Sequence, residues 1–252
     1  MKLPFETDQG IGTRATLGAI VLETDETLEK EFGRIMDLEG VALHHSRIPM
    51  VPEIREDTLQ QMARDIPASA ALLPSAARFD VVGYGCTSAA TVIGPARVAE
   101  LVREARPEAK VTDPLTAVRA ALSALGARHL GFVTPYRAEV SARMRAALED
   151  TGTQITAFGS FEEGDDRVVA RITERSIADA IRSVAAQAEV DAVFVACTNL
   201  RCLRVIAEVE PEIDRPILSS NQALGWHMLR LAGIEEPMPG LGRLFHHGMP
   251  DS

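Results

Sequence analysis

The chain has 252 residues, of which 46% are hydrophobic, 25% charged and 4% aromatic, a composition typical of a globular protein. The formal net charge of −10 argues against nucleic acids and anionic membrane surfaces as partners. The first ten residues, MKLPFETDQG, contain no apolar run, and no stretch reaches the roughly 20 apolar residues of a membrane span. We therefore expect a cytoplasmic protein whose three cysteines are reduced and available for chemistry.

Short β-rich runs alternate with longer helical patterns along the chain. In chain order, the predicted strands are residues 15–22, 41–48, 79–85, 129–134, 153–160 and 191–196. Apolar residues at three- and four-residue spacing predict helices over residues 58–71, 97–106, 114–125, 139–149, 168–187 and 223–232. This alternation is typical of an α/β fold, in which helices cover parallel sheets.

The two halves of the chain resemble each other. FDVVGYGCTS (residues 79–88) and VDAVFVACTN (residues 190–199) align at an offset of 111 residues, and LGAIV and LGFVT, earlier in each half, align at an offset of 113. Strand–turn–helix units look alike in any α/β protein, but the nearly constant offset favours duplication. We predict two similar α/β lobes, related by a pseudo-twofold axis. The first lobe would comprise residues 1–115 and 215–252, and the second residues 116–214.

Cys86 and Cys197 each follow a predicted buried strand and precede a predicted helix. In open α/β sheets this edge binds ligands, and the N–H groups of a helix N-terminus lower the pKa of a thiol. We therefore expect at least one of the two thiols to be partly ionised near neutral pH. Two buried structural cysteines are the alternative, because free cysteine is among the most buried residue types.

A matched pair of thiols on opposite sides of one ligand suits the removal of a proton from one face of a carbon and its delivery to the other face. One cysteine would act as the thiolate base and the other as the thiol acid. Cys202 falls inside the next helix pattern, so we expect it to have a packing role. The sequence CTNLRC lacks the close spacing of a zinc site, and no GxGxxG motif follows a strand. We predict no metal and no cofactor.

The segments YGCTS, ACTNLR and PILSSNQALGWHMLRLAG resemble those of the Asp/Glu racemase superfamily. The similarity is greatest to the maleate isomerase and arylmalonate decarboxylase branch, and within it to the ectoine-utilisation proteins. The resemblance implies two Rossmann-like lobes, an active site between them and no cofactor. It also implies that racemases and isomerases use both cysteines whereas decarboxylases keep only the second. In a maleate-type reaction, Cys86 would be the nucleophile that adds to the alkene.

The resemblance also indicates residues that bind the substrate. The substrate-binding tyrosine of the family corresponds to Tyr136. Its hydroxyl would donate a hydrogen bond to a substrate carboxylate; the alternative is that Tyr136 only packs beside Pro135. The residues after the two cysteines and those of the SSNQ segment are further candidates, although the same residue types also cap helices. These candidates are Thr87, Ser88, Thr198, Asn199, Ser220 and Asn221.

Two positions depart from the maleate isomerase pattern. In the family, two asparagines hold a carboxylate of the substrate. At the corresponding positions this chain has Asp25 and Asp166. An ionised carboxylate accepts hydrogen bonds and cannot donate them, so two aspartates suit an ammonium or an amide N–H better than a dicarboxylate. The alternative is that Asp25 only caps the helix that follows it.

The leading hypothesis is therefore a cofactor-independent racemase of an amino acid or N-acyl amino acid, in which Cys86 and Cys197 act on opposite faces of a small carboxylate substrate. A role in ectoine degradation fits this hypothesis. The first alternative is maleate-type cis–trans isomerisation of a small unsaturated diacid, and the second is a small-molecule binding protein without catalysis. We expect a homo-oligomer that binds neither nucleic acid nor membrane.

Overall fold

The structure is a computed structural model that describes residues 1–250. Its strands are β1 (Ala15–Leu22), β2 (Val41–Ile48), β3 (Val81–Gly85), β4 (Lys110–Thr112), β5 (His129–Thr134), β6 (Gln154–Ser160), β7 (Ala192–Val195) and β8 (Ile217–Ser219). They form two parallel four-stranded sheets with the orders β2-β1-β3-β4 and β6-β5-β7-β8. The two sheets have the same strand order, which confirms the predicted α/β class and its two similar halves.

Helices connect the strands, as parallel pairing requires. The α-helices within residues 1–250 are α1 (Leu28–Ile35), α2 (Glu56–Gln61), α3 (Ile66–Ala71), α4 (Thr87–Ile93), α5 (Pro95–Ala105), α6 (Pro114–Leu125), α7 (Ala138–Glu149), α8 (Asp166–Val169), α9 (Glu174–Ala185), α10 (Leu203–Ile213) and α11 (Ser220–Leu231). None of these helices combines the length and the apolar character that crossing a membrane requires.

Strands β3 and β7 hold corresponding central positions in the two sheets. Every residue of both strands is buried, because helices cover both faces of a parallel sheet. Their carboxyl ends lead directly to the two cysteines of interest, Cys86 and Cys197. The fold therefore places the two thiols at equivalent sheet edges, as the internal repeat predicts.

Two predicted helices are interrupted in the structure. Residues 58–71 contain the end of α2, a 3₁₀ turn at Met62–Arg64 and then α3. Residues 168–187 are divided between α8 and α9, because the side chain of Thr173 caps a new helix by accepting a hydrogen bond from the N–H of Ser176 at 3.1 Å. The three-residue strands β4 and β8 were not predicted, since runs so short carry little periodicity.

The last part of the chain packs against both halves of the protein. Strand β8 pairs with β7 in the second sheet, whereas α11 packs against α1, α6 and β3. The sequence predicts that the chain returns to the first lobe at residue 215, but β8 still belongs to the second sheet. The return therefore begins one strand later, with α11. The remaining lobe boundaries stay a prediction.

Candidate active site

Cys86 is the N-cap residue of α4 and is buried. Its sulfur accepts a hydrogen bond from the N–H of Ala89 at 3.4 Å and lies 3.6 Å from the hydroxyl of Ser88. Burial nevertheless raises the pKa of the Cys86 thiol to about 12, because these two donors only partly compensate for the loss of water. The helix N-terminus is present as predicted, but it does not leave the thiol ionised near neutral pH.

Cys197 lies two residues beyond the end of β7, with a φ of 108° that is rare for a residue other than glycine. Its N–H donates to the hydroxyl oxygen of Ser220 at 3.0 Å, and the same oxygen accepts from the hydroxyl of Thr87 at 2.7 Å. Ser220 therefore connects the two cysteine loops. The prediction of a helix directly after Cys197 is wrong, because residues 198–202 are not helical and α10 begins at Leu203.

The sulfur of Cys197 accepts a hydrogen bond from the N–H of Asn199 at 3.4 Å. The hydroxyl of Tyr136, a residue that is 2% exposed, lies near this sulfur and lowers the pKa of the Cys197 thiol. Burial raises the pKa of the Cys197 thiol well above its ordinary value, and the carboxylate of Asp166 adds to the rise. Both thiols therefore have the same kind of support, namely one backbone N–H and one side-chain hydroxyl.

The two thiols share their charged neighbours. After burial itself, the carboxylates of Asp166 and Asp25 raise the pKa of both Cys86 and Cys197. Both thiols also raise the pKa of the buried Tyr136 hydroxyl. Groups that act on both sulfurs must lie close to both of them. The structure therefore brings the two cysteines, Tyr136 and the two aspartates together in one buried site between the sheets.

Asp25 binds backbone N–H groups at the start of α1 but is not its N-cap residue, which is Thr27, so the predicted capping role holds only in part. Its Oδ1 accepts hydrogen bonds from the N–H groups of Thr27 and Leu28, both at 2.8 Å. Its Oδ2 is buried and has no hydrogen-bond partner. Burial raises the pKa of Asp25; the N–H of Leu28 opposes that rise most strongly, followed by the nearby hydroxyl of Thr198. One carboxylate oxygen therefore serves the helix, and the other remains unpaired beside the thiols.

Asp166 lies at the start of α8 and is held by polar contacts. Its Oδ2 accepts hydrogen bonds from the hydroxyl of Thr24 at 2.5 Å and from the side-chain amide of Asn199 at 3.0 Å. Burial raises the pKa of Asp166 to about 6, and the nearby Asp25 carboxylate contributes to the rise. Asn199 is predicted as a substrate ligand, but its side chain is engaged by the protein. The amide nitrogen donates to Asp166, and the side-chain oxygen accepts from the N–H of Glu26 at 2.9 Å.

The remaining predicted site residues contact the protein itself. The hydroxyl of Thr198 donates to the carbonyl oxygen of Gly85 at 3.4 Å. The side-chain amide of Asn221 donates to the carbonyl oxygen of Thr198 at 2.7 Å and to Glu31 at 2.8 Å, and its own oxygen has no partner. Thr198 and Asn221 therefore lie at the site, with hydroxyl and amide groups that already link its loops.

Glu31 and Thr24 support the site and were not predicted. One carboxylate oxygen of Glu31 accepts from the N–H groups of Cys202 and Leu203 at 2.7 and 2.9 Å, so α1 caps α10 of the other half. Burial raises the pKa of Glu31 to about 7. A sequence signal exists, because Glu31 lies on the apolar face of α1 with Leu28, Phe32 and Ile35. No comparable signal marks Thr24.

Two loops join next to Asp166. One loop belongs to the first half and the other to the second, and Glu53 and Asp165 form an antiparallel bridge between them. The N–H of Ile54 donates to the carbonyl oxygen of Gly164 at 2.9 Å, and the N–H of Asp166 donates to that of Pro52 at 3.0 Å. The two thiols are at most 4% exposed, so a ligand must separate covering segments to reach them.

Within residues 1–250, no group of three or more His, Cys, Asp and Glu side chains is placed to hold a metal ion. Cys202 is buried at the start of α10, where its N–H contacts Glu31. This position agrees with the packing role that its sequence context predicts.

Comparisons with known proteins identify similar sequences and structures. The sequence model of the arylmalonate decarboxylase family matches residues 50–245. A maleate isomerase from Nocardia farcinica is 28% identical over 242 residues, which span 90% of this chain and 94% of the relative.

Two solved structures show the same fold over nearly the whole chain. The maleate isomerase from Pseudomonas putida S16, with maleate, has a TM-score of 0.86 at 24% identity, covering 94% of this chain and 99% of that one. A cysteine-to-serine mutant of the Nocardia farcinica maleate cis–trans isomerase, with a covalently bound succinylcysteine intermediate, has a TM-score of 0.82 at 26% identity and the same two coverages.

Proposed function

Because the chain belongs to the arylmalonate decarboxylase family, we propose that it is a cysteine-dependent cis–trans isomerase of a small unsaturated acid, of the maleate type. The observation that carries the proposal is that Cys86 and Cys197 share Tyr136, Asp25 and Asp166 as neighbours in one buried site. The similar maleate isomerases support this reaction over racemisation of an amino acid. A chain with both cysteines also has the proton donor and the nucleophile that isomerisation requires.

The reacting form of the site has Cys86 as the thiolate, its proton having passed to solvent, and Cys197 as the thiol; the raised pKa of Cys86 makes this form a minor one at neutral pH. The Cys86 sulfur then adds to one alkene carbon. A C–S bond forms as the π bond breaks, and the adjacent carbon takes the proton of the Cys197 thiol. The former double bond is now a single bond and rotates. Cys197 then removes the proton, the C–S bond breaks and the trans double bond forms. No electrons or atoms are gained or lost, and the succinylcysteine of the Nocardia farcinica relative supports such an adduct.

Hydrogen-bond donors around each sulfur stabilise the thiolate that each step generates. The N–H of Ala89 and the hydroxyl of Ser88 serve Cys86, while the N–H of Asn199 and the hydroxyl of Tyr136 serve Cys197. In a site without water these fixed donors interact more strongly with charge than they would in solution. Closure of the site also keeps water from protonating the intermediate.

Proton NMR in D2O tests this proposal. We expect the purified protein to convert the alkene signals of a cis unsaturated acid, such as maleate or its monoamide, into those of the trans isomer. The Cys86→Ser and Cys197→Ser variants should each lose roughly a hundredfold or more in rate, since each lacks one required acid, base or nucleophile. Cys202→Ser is the matched control and should retain activity, because Cys202 contacts neither thiol's donors. Unchanged alkene signals with both ligands would contradict the proposal.

Racemisation of an amino acid is the second candidate, and one observation favours it. The unpaired Oδ2 of Asp25 could accept a hydrogen bond from the ammonium group of an amino acid. The same NMR experiment separates the two candidates. Loss of the Cα–H signal of an amino acid in D2O marks racemisation, whereas isomerisation changes only alkene signals.

A further inference from the structure

Two buried aspartates accept the same pair of backbone N–H groups, two and three residues later in the chain, and only one of them is fully paired. Asp113 accepts from the N–H groups of Leu115 and Thr116 through Oδ1, while its Oδ2 accepts from the hydroxyl of Thr116 at 2.6 Å. Asp25 makes the equivalent pair of backbone contacts, but its Oδ2 is buried without a partner. A buried, unpaired carboxylate oxygen is costly, so capping alone does not explain Asp25.

Two other buried carboxyl groups lie near Asp25, and its neighbouring cation is engaged elsewhere. Arg47 lowers the pKa of Asp25, but it donates through Nη1 to the backbone carbonyl oxygen of Asp25 at 2.9 Å and pairs through Nη2 with Glu29 at 2.9 Å. The Asp25 carboxylate raises the pKa of both Asp166 and Glu31. Among the described residues, neither Asp25 nor Asp166 forms an ion pair.

We propose that Asp25 and Asp166 form a subsite for an N–H-bearing end of the substrate, either an ammonium or a primary amide, at one side of the two thiols. The inference rests on the proposed function in that the ligand is a small carboxylic acid that lies between Cys86 and Cys197. The substrate class is therefore a small acid with one carboxylate and one nitrogen-bearing end, rather than a diacid.

The chemistry of the carboxyl groups supports this choice of ligand. An ionised carboxylate only accepts hydrogen bonds, and an ammonium or amide supplies the donors that the free oxygen of Asp25 lacks. A second substrate carboxylate at the same place would add like charge to a site with little water, where repulsion is strong. A diacid would fit only after taking up a proton at the site.

Equilibrium binding of three saturated acids of equal chain length tests the inference without any turnover. Succinate ends in a second carboxylate, succinamate in a primary amide and 4-aminobutanoate in an ammonium. None has an alkene or a stereocentre, so none can be isomerised or racemised. By calorimetry at about pH 8, where ordinary side-chain carboxyls are ionised, we expect succinamate or 4-aminobutanoate to bind about tenfold or more tightly than succinate. The tighter of the two identifies the nitrogen group.

Asp25→Asn provides the decisive variant, because asparagine caps a helix about as well as aspartate and the fold should survive. We expect the preference over succinate to fall about tenfold or to reverse. The matched control, Asp113→Asn, alters a buried helix-capping aspartate whose oxygens are both paired, so it should leave the preference unchanged. Equal preference in the unaltered protein and Asp25→Asn would overturn the inference. Succinate as the tightest ligand, or no binding of either nitrogen-bearing acid, would overturn it as well.

The outcome is independent of the test of catalysis. A preference for nitrogen-bearing acids without alkene conversion would remove the proposed isomerisation and retain the subsite. Conversion of maleate together with tightest binding of succinate would retain the isomerisation and remove the subsite.

Discussion

Replacing Ser220 by alanine removes the oxygen that joins the two cysteine loops. Cys197 has a backbone conformation that costs of the order of 1–3 kcal/mol in a residue other than glycine, and its N–H is held by this oxygen at 3.0 Å. The substitution leaves that buried N–H unpaired, which costs about 1–3 kcal/mol. The hydroxyl of Thr87 loses the same acceptor but can rotate. We therefore expect the free energy of unfolding in urea to fall by about 2 kcal/mol.

The catalytic effect should be larger than the loss of stability suggests. Without its anchor, the Cys197 backbone relaxes and displaces the sulfur, and misplacement by about 1 Å can cost up to a hundredfold in rate. We expect kcat for the unsaturated acid to fall roughly tenfold or more, with a smaller change in KM.

Ser219→Ala is the matched control for this prediction. The hydroxyl of Ser219 caps α11 by accepting from the N–H of Gln222 at 3.1 Å, so its loss should cost about 1 kcal/mol of stability. It makes no contact with Cys197, and kcat should stay close to that of the unaltered protein. Equal kcat values for the Ser219→Ala and Ser220→Ala variants would refute the positioning role of Ser220.

Three further predictions concern ionisation and hydrogen bonding. Tyr136→Phe removes the hydroxyl that lies near the Cys197 sulfur and favours its thiolate, so kcat should fall about tenfold while urea unfolding changes little; an unchanged kcat would contradict this role. Burial raises the pKa of Glu31 to about 7, so its native form keeps a proton that the unfolded chain has lost. The contribution of Glu31 to the free energy of unfolding is fully present below its ordinary pKa. That free energy should fall by ~3 kcal/mol as pH rises through 7. Urea unfolding of Glu31→Gln should show a smaller fall, and an identical pH dependence would exclude Glu31 as its source. Because burial raises the pKa of Cys86, Cys197 and Cys202, iodoacetamide should modify all three slowly at neutral pH, and rapid labelling of any one in the folded protein would contradict that burial.

The sequence predicts the central parts of the fold well, because buried parallel strands have a simple signature. The bounds of β1, β2 and β5 agree with the predicted residues, since each is a run of alternating or continuous apolar residues between turn signals. The equivalence of Cys86 and Cys197 follows from the repeat of strand, cysteine and threonine. Membership of the arylmalonate decarboxylase family also agrees with the resemblance carried by these motifs. Closeness to the ectoine-utilisation proteins stays a prediction.

The sequence does not predict features that depend on depth of burial or on backbone geometry. Cys86 has the expected position at a helix N-terminus, but nothing local shows that burial outweighs the donors around its sulfur. The positive φ of Cys197 and the contact of its N–H with Ser220, 23 residues later in the chain, exist only in the folded protein. The cap that Glu31 provides for α10 likewise joins distant segments. Such long-range polar contacts leave little periodic trace in a sequence.

The structure and the similar proteins favour a different reaction from the one that the sequence favours. The two aspartates at positions 25 and 166 favour an amino acid when they are compared with the family pattern alone. The structure shows that Asp166 is already held by Thr24 and Asn199, and that one oxygen of Asp25 serves a helix. The similar proteins are maleate isomerases, so the isomerisation that was the alternative becomes the proposed function. The free oxygen of Asp25 then bears on the choice of substrate rather than on the type of reaction.

Mass spectrometry of the Cys197→Ser variant tests the two-cysteine mechanism most directly. Without the thiol that removes the proton, an unsaturated acid added to Cys86 cannot be released readily. After incubation with maleate or its monoamide, we predict an increase in protein mass equal to one ligand, and peptide mapping should place it on Cys86. The Cys86→Ser, Cys197→Ser double variant should show no increase. Absence of the adduct with both ligands, or its location on Cys202, would contradict the account.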